Sequence, residues 1–223
     1  SSPYPHYVIR GNTAVSMAAG VGWFMKYFAH VQLSWTGDQI IAAHSPASLP
    51  KLSSPIHIEA QTKWSYYLNT CTHSYSAAWW DWSRWQREID WMALQGINLP
   101  LAFVGQEYIW RELWHEFGIN DTELNSWFSG PAFSAWQRMG NLQLWGGPLP
   151  LTFIQQQHDL QLKILARMRA LGMTPVLPMF AGHVPTAITK KYPNAKITIA
   201  ALWNRFESPY RPYVLEATDP LFV

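Results

Sequence analysis

The sequence predicts an α/β fold: a small N-terminal α+β domain with its linker, residues 1–62, followed by the N-terminal part of a (β/α)8 barrel of the TIM type, residues 63–223. Three observations carry that expectation. Apolar runs suited to buried strands alternate with amphipathic helical segments, the pattern of βαβ units and a parallel sheet. No glycine-rich phosphate loop follows any of these runs, which counts against a nucleotide-binding doubly wound sheet and favours a barrel. The stretch after the linker is too short for a closed barrel, which takes about 250 residues, so the sequence reads as truncated at its C-terminal end.

Taken in order, YVIRGN reads as extended and residues 13–29, rich in small apolar side chains, as a helix. HVQLSW alternates as a strand does, and Thr36-Gly37-Asp38 is expected to turn the chain into QIIAAHS. Pro and Ser crowd residues 45–55, the expected linker. Residues 64–75, WSYYLNTCTHSY, suit a strand. A helix is expected over 81–96, with Asp81 as its cap, Trp82, Trp85, Ile89, Met92 and Ala93 as its apolar stripe and Glu88 on its solvated face. INLPLAFV is a near-continuous apolar run, as in a strand buried on both faces. Helices follow over 106–117, closed by Gly118, and over 122–128. A long helix over 153–171 is expected to turn Ile154, His158, Leu162, Leu165, Met168 and Leu171 to one side. MTPVLPMFA then reads as a third strand, and 185–192 as a short helix.

Composition narrows the chemistry. Sixteen basic and 14 acidic residues give a formal net charge of +2 with no basic run, so no nucleic-acid partner is expected. No stretch approaches the roughly 18 apolar residues of a membrane span, and no membrane partner is expected either. The start, SSPYPHYVIRGN, lacks the basic and apolar regions of a signal peptide. Cys71 is the one cysteine, which excludes an intrachain disulfide. Cys71 with His73 falls short of a zinc site in both number and spacing, and nothing identifies His183 as a base for Cys71. No metal and no cofactor are expected.

The outlying feature is aromatic, with 14 Trp, 10 Tyr and 10 Phe. An indole offers a face for the C–H side of a pyranose and an N–H for its hydroxyls, though large rings also fill cores. In a barrel the active site forms where strands meet their following loops. Those places are Asn69-Thr70-Cys71-Thr72-His73, Gly105-Gln106-Glu107 and Gly182-His183, all polar. Glu107 reads equally as a site carboxylate or as an acid favoured in the first turn of a helix. His183 reads equally as a hydroxyl binder or a structural hydrogen bonder. Separately, Asn120-Asp121-Thr122 forms a glycosylation sequon.

The stretches NTCTHSYSAAWWDWSRWQREIDWMALQGINLPLAF, GQEYIW, GPAFSAWQRMGNLQLWGGPLP and MTPVLPMFAGHVP resemble glycoside hydrolase family 89, the alpha-N-acetylglucosaminidases. IRGNTAVSMAAGVGWFMKYF is similar to that family's small N-terminal domain, so the resemblance covers nearly the whole chain. It implies an exo-acting retaining hydrolase that removes terminal alpha-linked N-acetylglucosamine, in animals from heparan sulfate. The implied location is lysosomal in an animal, and secreted or extracellular in a microbe; assembly into homo-oligomers is left open. Retaining chemistry uses two carboxyl groups about 5 to 5.5 Å apart. In the family both are glutamates on later barrel strands whose motifs nothing here matches, so no catalytic residue is expected in this chain and the chain alone is expected to be inactive. The resemblance implies a sugar-contacting role for Asn69, Cys71, Glu107, Trp136 and His183. FVGQE and LWGGPLP depart from the family pattern. The alternative reading is a carbohydrate-binding relative without hydrolase activity.

Overall fold

The computed structural model describes residues 6–40, 49, 51–200 and 207–222. Most of QIIAAHS and part of the expected linker therefore lie outside the described residues. In chain order the elements are α1 (Ala14–Phe28), β1 (Gln32–Ser34), β2 (Gly37–Gln39), β3 (Tyr66–Tyr67) and α2 (Thr70–Thr72), which runs into a π-helical turn (His73–Ala77). Then come α3 (Trp82–Leu94), β4 (Leu99–Pro100), α4 (Gln106–Glu116), α5 (Asp121–Asn125), α6 (Ser134–Arg138), α7 (Leu151–Ala170), β5 (His183–Val184), α8 (Ala187–Lys191), β6 (Ile197–Ile199) and β7 (Tyr213–Leu215). The chain divides into two compact units. One comprises residues 1–67, 82–101 and 164–176; the other, residues 68–81, 102–163 and 177–223.

The first unit holds the expected parallel pairing in shortened form, with the expected third strand, 173–181, reduced to a single bridge at Val176. β3 and β4 pair in parallel, Tyr66 with Leu99 and Tyr67 with Pro100, and Leu101 bridges to Val176 in the same sense. Pro100 lies in the middle strand, where its carbonyl accepts from Val176 N at 2.8 Å and only its missing N–H leaves the ladder short. The first strand is far shorter than expected: pairing stops at Tyr67 and helix begins at Thr70. The cause is local. Leu68 adopts a left-handed φ of 73°, and Asn69 then caps a helix instead of extending a strand. Trp35-Thr36, one step earlier than expected, turns β1 into antiparallel β2.

Helix α1 starts where expected, because Thr13 Oγ1 accepts from Ser16 N at 3.0 Å. It packs on α3 with Gly22 at the crossing, where a Cβ would stand 2.2 Å from Leu94 O. Glu88 corrects the expectation of a solvated face, being 1% exposed. Trp35 Nε1 and Tyr67 Oη donate to its Oε1 at 3.0 and 2.8 Å, and Arg84 pairs with Oε2 at 2.9 Å. Burial, and then the bond to Glu88, push the Tyr67 phenol well above its ordinary range. Sequence alone placed Glu88 by its charge; Arg84 is one turn away on the same helix, but Trp35 and Tyr67 come from segments 53 and 21 residues away.

The second unit is organised by large rings. Trp110, Trp114, Trp127, Phe128 and Ile154 share one buried cluster with Val184, Ile188 and Leu215. Trp110, Trp114 and Trp127 here and Trp85 in the first unit are thus core, whereas Trp35, Trp64, Trp79 and Trp145 are exposed. β5, β7 and β6 form an antiparallel sheet in that order. Its strands of two and three residues are too short for an alternating pattern to announce them. Along α7 the buried side chains are Ile154, Leu160, Gln161, Ile164 and Met168, while Leu162 is 54% exposed. Steps of four from Ile154 drift off a 3.6-residue period, and Gln161 holds the position expected of Leu162 by donating to Ala102 O at 2.7 Å.

Candidate functional site

The five residues singled out by resemblance all fall in the second unit. The segment 136–140, which ends α6, meets or contains four of them. Its position is over-determined. Ala135 N donates to Ser74 Oγ at 3.0 Å, tying α6 to the π-helical turn. Gln137, 2% exposed, accepts from Ser129 N at 2.6 Å and donates to Trp127 O at 2.9 Å. Gly140, at φ 72°, then closes the helix: Gly140 N bonds Gln137 O and Asn141 N bonds Trp136 O, both at 2.9 Å. That pair of bonds is the Schellman closure, which requires the left-handed residue glycine supplies.

Cys71 and Asn69 approach from α2. Cys71 is half-buried, with Sγ 3.9 Å from Met139 Sδ. Asn69 is exposed; its Oδ1 accepts from Thr72 N and Thr72 Oγ1, both at 2.9 Å, which leaves the amide nitrogen without a hydrogen bond among the described residues. Trp136 is half-buried and meets Tyr75 edge to face, with centroids 5.2 Å apart at 87°. Tyr75 itself is 74% exposed. An amide, a thiol, a thioether and two aromatic rings thus stand on neighbouring turns of α2, its π-helical extension and α6. Such a set offers hydrogen bonding beside apolar faces, as a sugar ring requires.

Glu107 stands behind this wall. It lies in the first turn of α4, whose N-cap Gly105 has φ 72° and where a Cβ would come within 2.8 Å of Gln157 O. Both carboxylate oxygens are taken by Arg138: Nε to Oε1 at 2.9 Å and Nη2 to Oε2 at 2.7 Å, with side chains 5% and 4% exposed respectively. This bidentate, buried geometry makes a strong and directional pair. The Arg138 guanidinium also lies 5.0 Å from the centre of the Phe103 ring, whose neighbour His73 packs on it at 5.2 Å. Burial, and then the Arg138 charge, hold the His73 imidazole well below its ordinary pKa. Among the described residues, Glu107 meets the 136–140 segment through Arg138.

His183 comes from β5. Its ring lies so close to Gly140 that a Cβ there would be 1.8 Å from Cε1, and burial lowers its pKa. Arg138, Phe103 and Gln137 were not singled out from the sequence, and His73 was named there only as part of a polar strand end and as an insufficient zinc ligand beside Cys71. Arg138 stands in the quoted stretch WQRMG, but a basic side chain in a short helix carries no sign of being buried. Among the described residues no group of three or more His, Cys, Asp and Glu side chains is placed to hold a metal ion. A cleft of about 390 Å³ in the first unit, among Leu33, Trp35, Arg87, Glu88 and Trp91, includes none of the five residues.

Comparison with known proteins assigns the family. A family model described as the alpha-N-acetylglucosaminidase (NAGLU) tim-barrel domain matches residues 65–223, and the corresponding N-terminal domain model matches residues 3–51. Alpha-N-acetylglucosaminidase from Homo sapiens is 45% identical over 215 residues, which is 96% of this chain and 28% of that protein. A family 89 glycoside hydrolase from Clostridium perfringens, solved in complex with 2-acetamido-1,2-dideoxynojirmycin, superposes with a TM-score of 0.84 at 34% identity. The match covers 92% of this chain and 23% of that one. The same figures hold for that hydrolase with PUGNAc and for a variant of it in complex with its substrate, GlcNAc-alpha-1,4-galactose. The chain thus spans about a quarter of the length of these relatives, and the parallel strands of its first unit accord with a partial barrel. On the match over residues 65–223 and the 45% identity, the chain belongs to the alpha-N-acetylglucosaminidase family of glycoside hydrolases, whose barrel domain it carries in part.

Proposed function

We propose that this chain supplies one wall of the sugar pocket in an exo-acting, retaining glycosidase that removes terminal alpha-linked N-acetylglucosamine. The observation that carries the reading is the convergence on residues 136–140: Trp136 belongs to that segment, Cys71 meets Met139, Glu107 grips Arg138 and His183 lies on Gly140. The bound substrate of the Clostridium perfringens neighbour, a GlcNAc-alpha-linked disaccharide, supports the sugar identity. Asn69, Cys71 and Trp136 are the residues that would touch the sugar, with Trp136 stacking and the Asn69 amide donating. Glu107 and His183 would hold the wall from behind. The domain boundary near residue 63 belongs to the same reading. In an animal, the natural substrate would be heparan sulfate and the location lysosomal, reached by the secretory route of a glycoprotein.

Retaining hydrolysis needs two carboxyl groups flanking the scissile bond. Glu107 is committed to Arg138 and fills neither role, so this chain by itself would not turn substrate over. The second reading, a carbohydrate-binding relative without hydrolase activity, rests on the same amide and aromatic groups, which need no catalytic carboxylate. Assaying a chromogenic alpha-N-acetylglucosaminide separates the two. The chain alone should be silent, and a form extended to the length of the human relative should release the chromophore. A silent extended form that still binds N-acetylglucosamine would favour the second reading, and turnover by the chain alone would overturn the assignment of Glu107.

A further inference from the structure

The sugar-pocket reading leaves the sequon Asn120-Asp121-Thr122 unused. Asn120 is the N-cap of α5, extended at φ −92° and ψ 171°, and a capping box fixes it. Its Oδ1 accepts from Glu123 N at 3.0 Å, and its own N–H donates to Glu123 Oε2 at 2.9 Å. Ile119 and Leu124, the residues just before the cap and four after it, are each 1% exposed in the same core cluster. These are the two positions of a hydrophobic staple, which sets the angle at which the chain enters the helix. Staple and box together leave Asn120 at the surface with its oxygen turned to the helix and its amide nitrogen, Nδ2, without a hydrogen bond among the described residues. Asp121 is drawn back onto the protein by Arg111 and His115, at 2.7 and 2.9 Å, and Thr122 is exposed beside it.

From this geometry we infer that Asn120 Nδ2 is an N-glycosylation site when the protein passes through a eukaryotic secretory compartment. The step is a substitution at C1 of an oligosaccharide carried on a lipid diphosphate. The bond from C1 to the diphosphate oxygen breaks, the bond from C1 to Nδ2 forms, Nδ2 gives up one proton, and the lipid diphosphate leaves with the electron pair. Nothing is oxidised or reduced. The modified amide keeps Oδ1, so the folded state holds the glycan and the capping box together. The inference does not depend on the sugar-pocket reading, because no residue is shared.

The test is expression behind a secretion signal in mammalian cells, with protein recovered from both microsomes and medium. Peptide N-glycosidase in heavy-oxygen water converts a glycosylated asparagine to labelled aspartate. The expected result is labelled aspartate at position 120 and a downward mobility shift by one glycan. Thr122→Ala breaks the sequon while leaving the Asn120 cap in place, and should lose both the label and the shift without loss of yield. Asn120→Gln should lose them too, although it also disturbs the cap. An unlabelled Asn120 peptide from wild-type protein in both fractions overturns the inference, as does a label that persists in Thr122→Ala.

Discussion

Glu107 and Arg138 are the residues on which the candidate pocket wall turns. Each is buried and charged, and among the described residues each finds its opposite charge in the other, through two short hydrogen bonds. Removing one partner of such a pair leaves an uncompensated buried charge, which costs about 3–5 kcal/mol, whereas replacing both with apolar or neutral groups costs much less. Arg138→Met and Glu107→Gln should each lower folding stability by about that amount, and the double variant by less than either single change. Urea unfolding of the four proteins measures it. Additive losses would mean that the carboxylate and guanidinium are satisfied independently and that the pair does not hold residues 136–140. Neither role was legible in the sequence. Glu107 read as a helix-dipole acid or a site carboxylate, and its partner lies 31 positions away in a five-residue helix.

Elements were legible in proportion to how locally they are determined. Helix α1 begins at Thr13 as expected because its cap is a hydrogen bond between neighbours, and α4 ends before Gly118 because that residue adopts φ 70°. The parallel strands announced themselves by apolar runs, but their ends did not, since Asn69 prefers capping a helix to extending a strand. The antiparallel sheet of β5, β7 and β6 was invisible because its register, His183 with Val214 and Ile197 with Leu215, joins segments 31 and 18 residues apart. The candidate site followed the same rule: the family resemblance named its residues, and only tertiary packing showed that residues 136–140 bring four of the five together. A local element makes a local prediction. Asn120→Ala removes the side-chain half of the α5 capping box and should lower stability by about 1 kcal/mol, read from the urea midpoint at unchanged slope. Gly140→Ala should do more. It strains a left-handed position and drives a methyl into the His183 ring, 1.8 Å away, so it should also perturb the His183 imidazole signals in NMR spectra. Unshifted His183 resonances in Gly140→Ala would contradict the packing described for that ring.

At the scale of the whole molecule, the response to acid sums over every group whose proton affinity changes on folding. His73 and His183 are both held below the ordinary histidine value of 6.5, His73 strongly, by burial. Below that pH the unfolded chain takes up protons that the folded chain refuses, so the unfolded state binds more protons and stability falls as pH falls. The aspartates act in the same direction, but lower. Asp121, held down chiefly by Arg111, and Asp219, held down by the backbone N–H groups of Lys196 and Leu221, stabilise the fold above about 3.8 and lose that contribution as pH drops through their lowered values. Two windows of acid destabilisation should therefore appear, one opening below 6.5 from the histidines and one below 3.8 from the aspartates. Thermal unfolding of the chain from pH 8 downward should show the midpoint declining first in the histidine window. His73→Phe, which keeps a ring against Phe103 without a titrating group, should flatten that first decline and leave the second intact. If the decline below 6.5 is as steep in His73→Phe as in the unaltered chain, then His73 is not the buried neutral group that this packing requires.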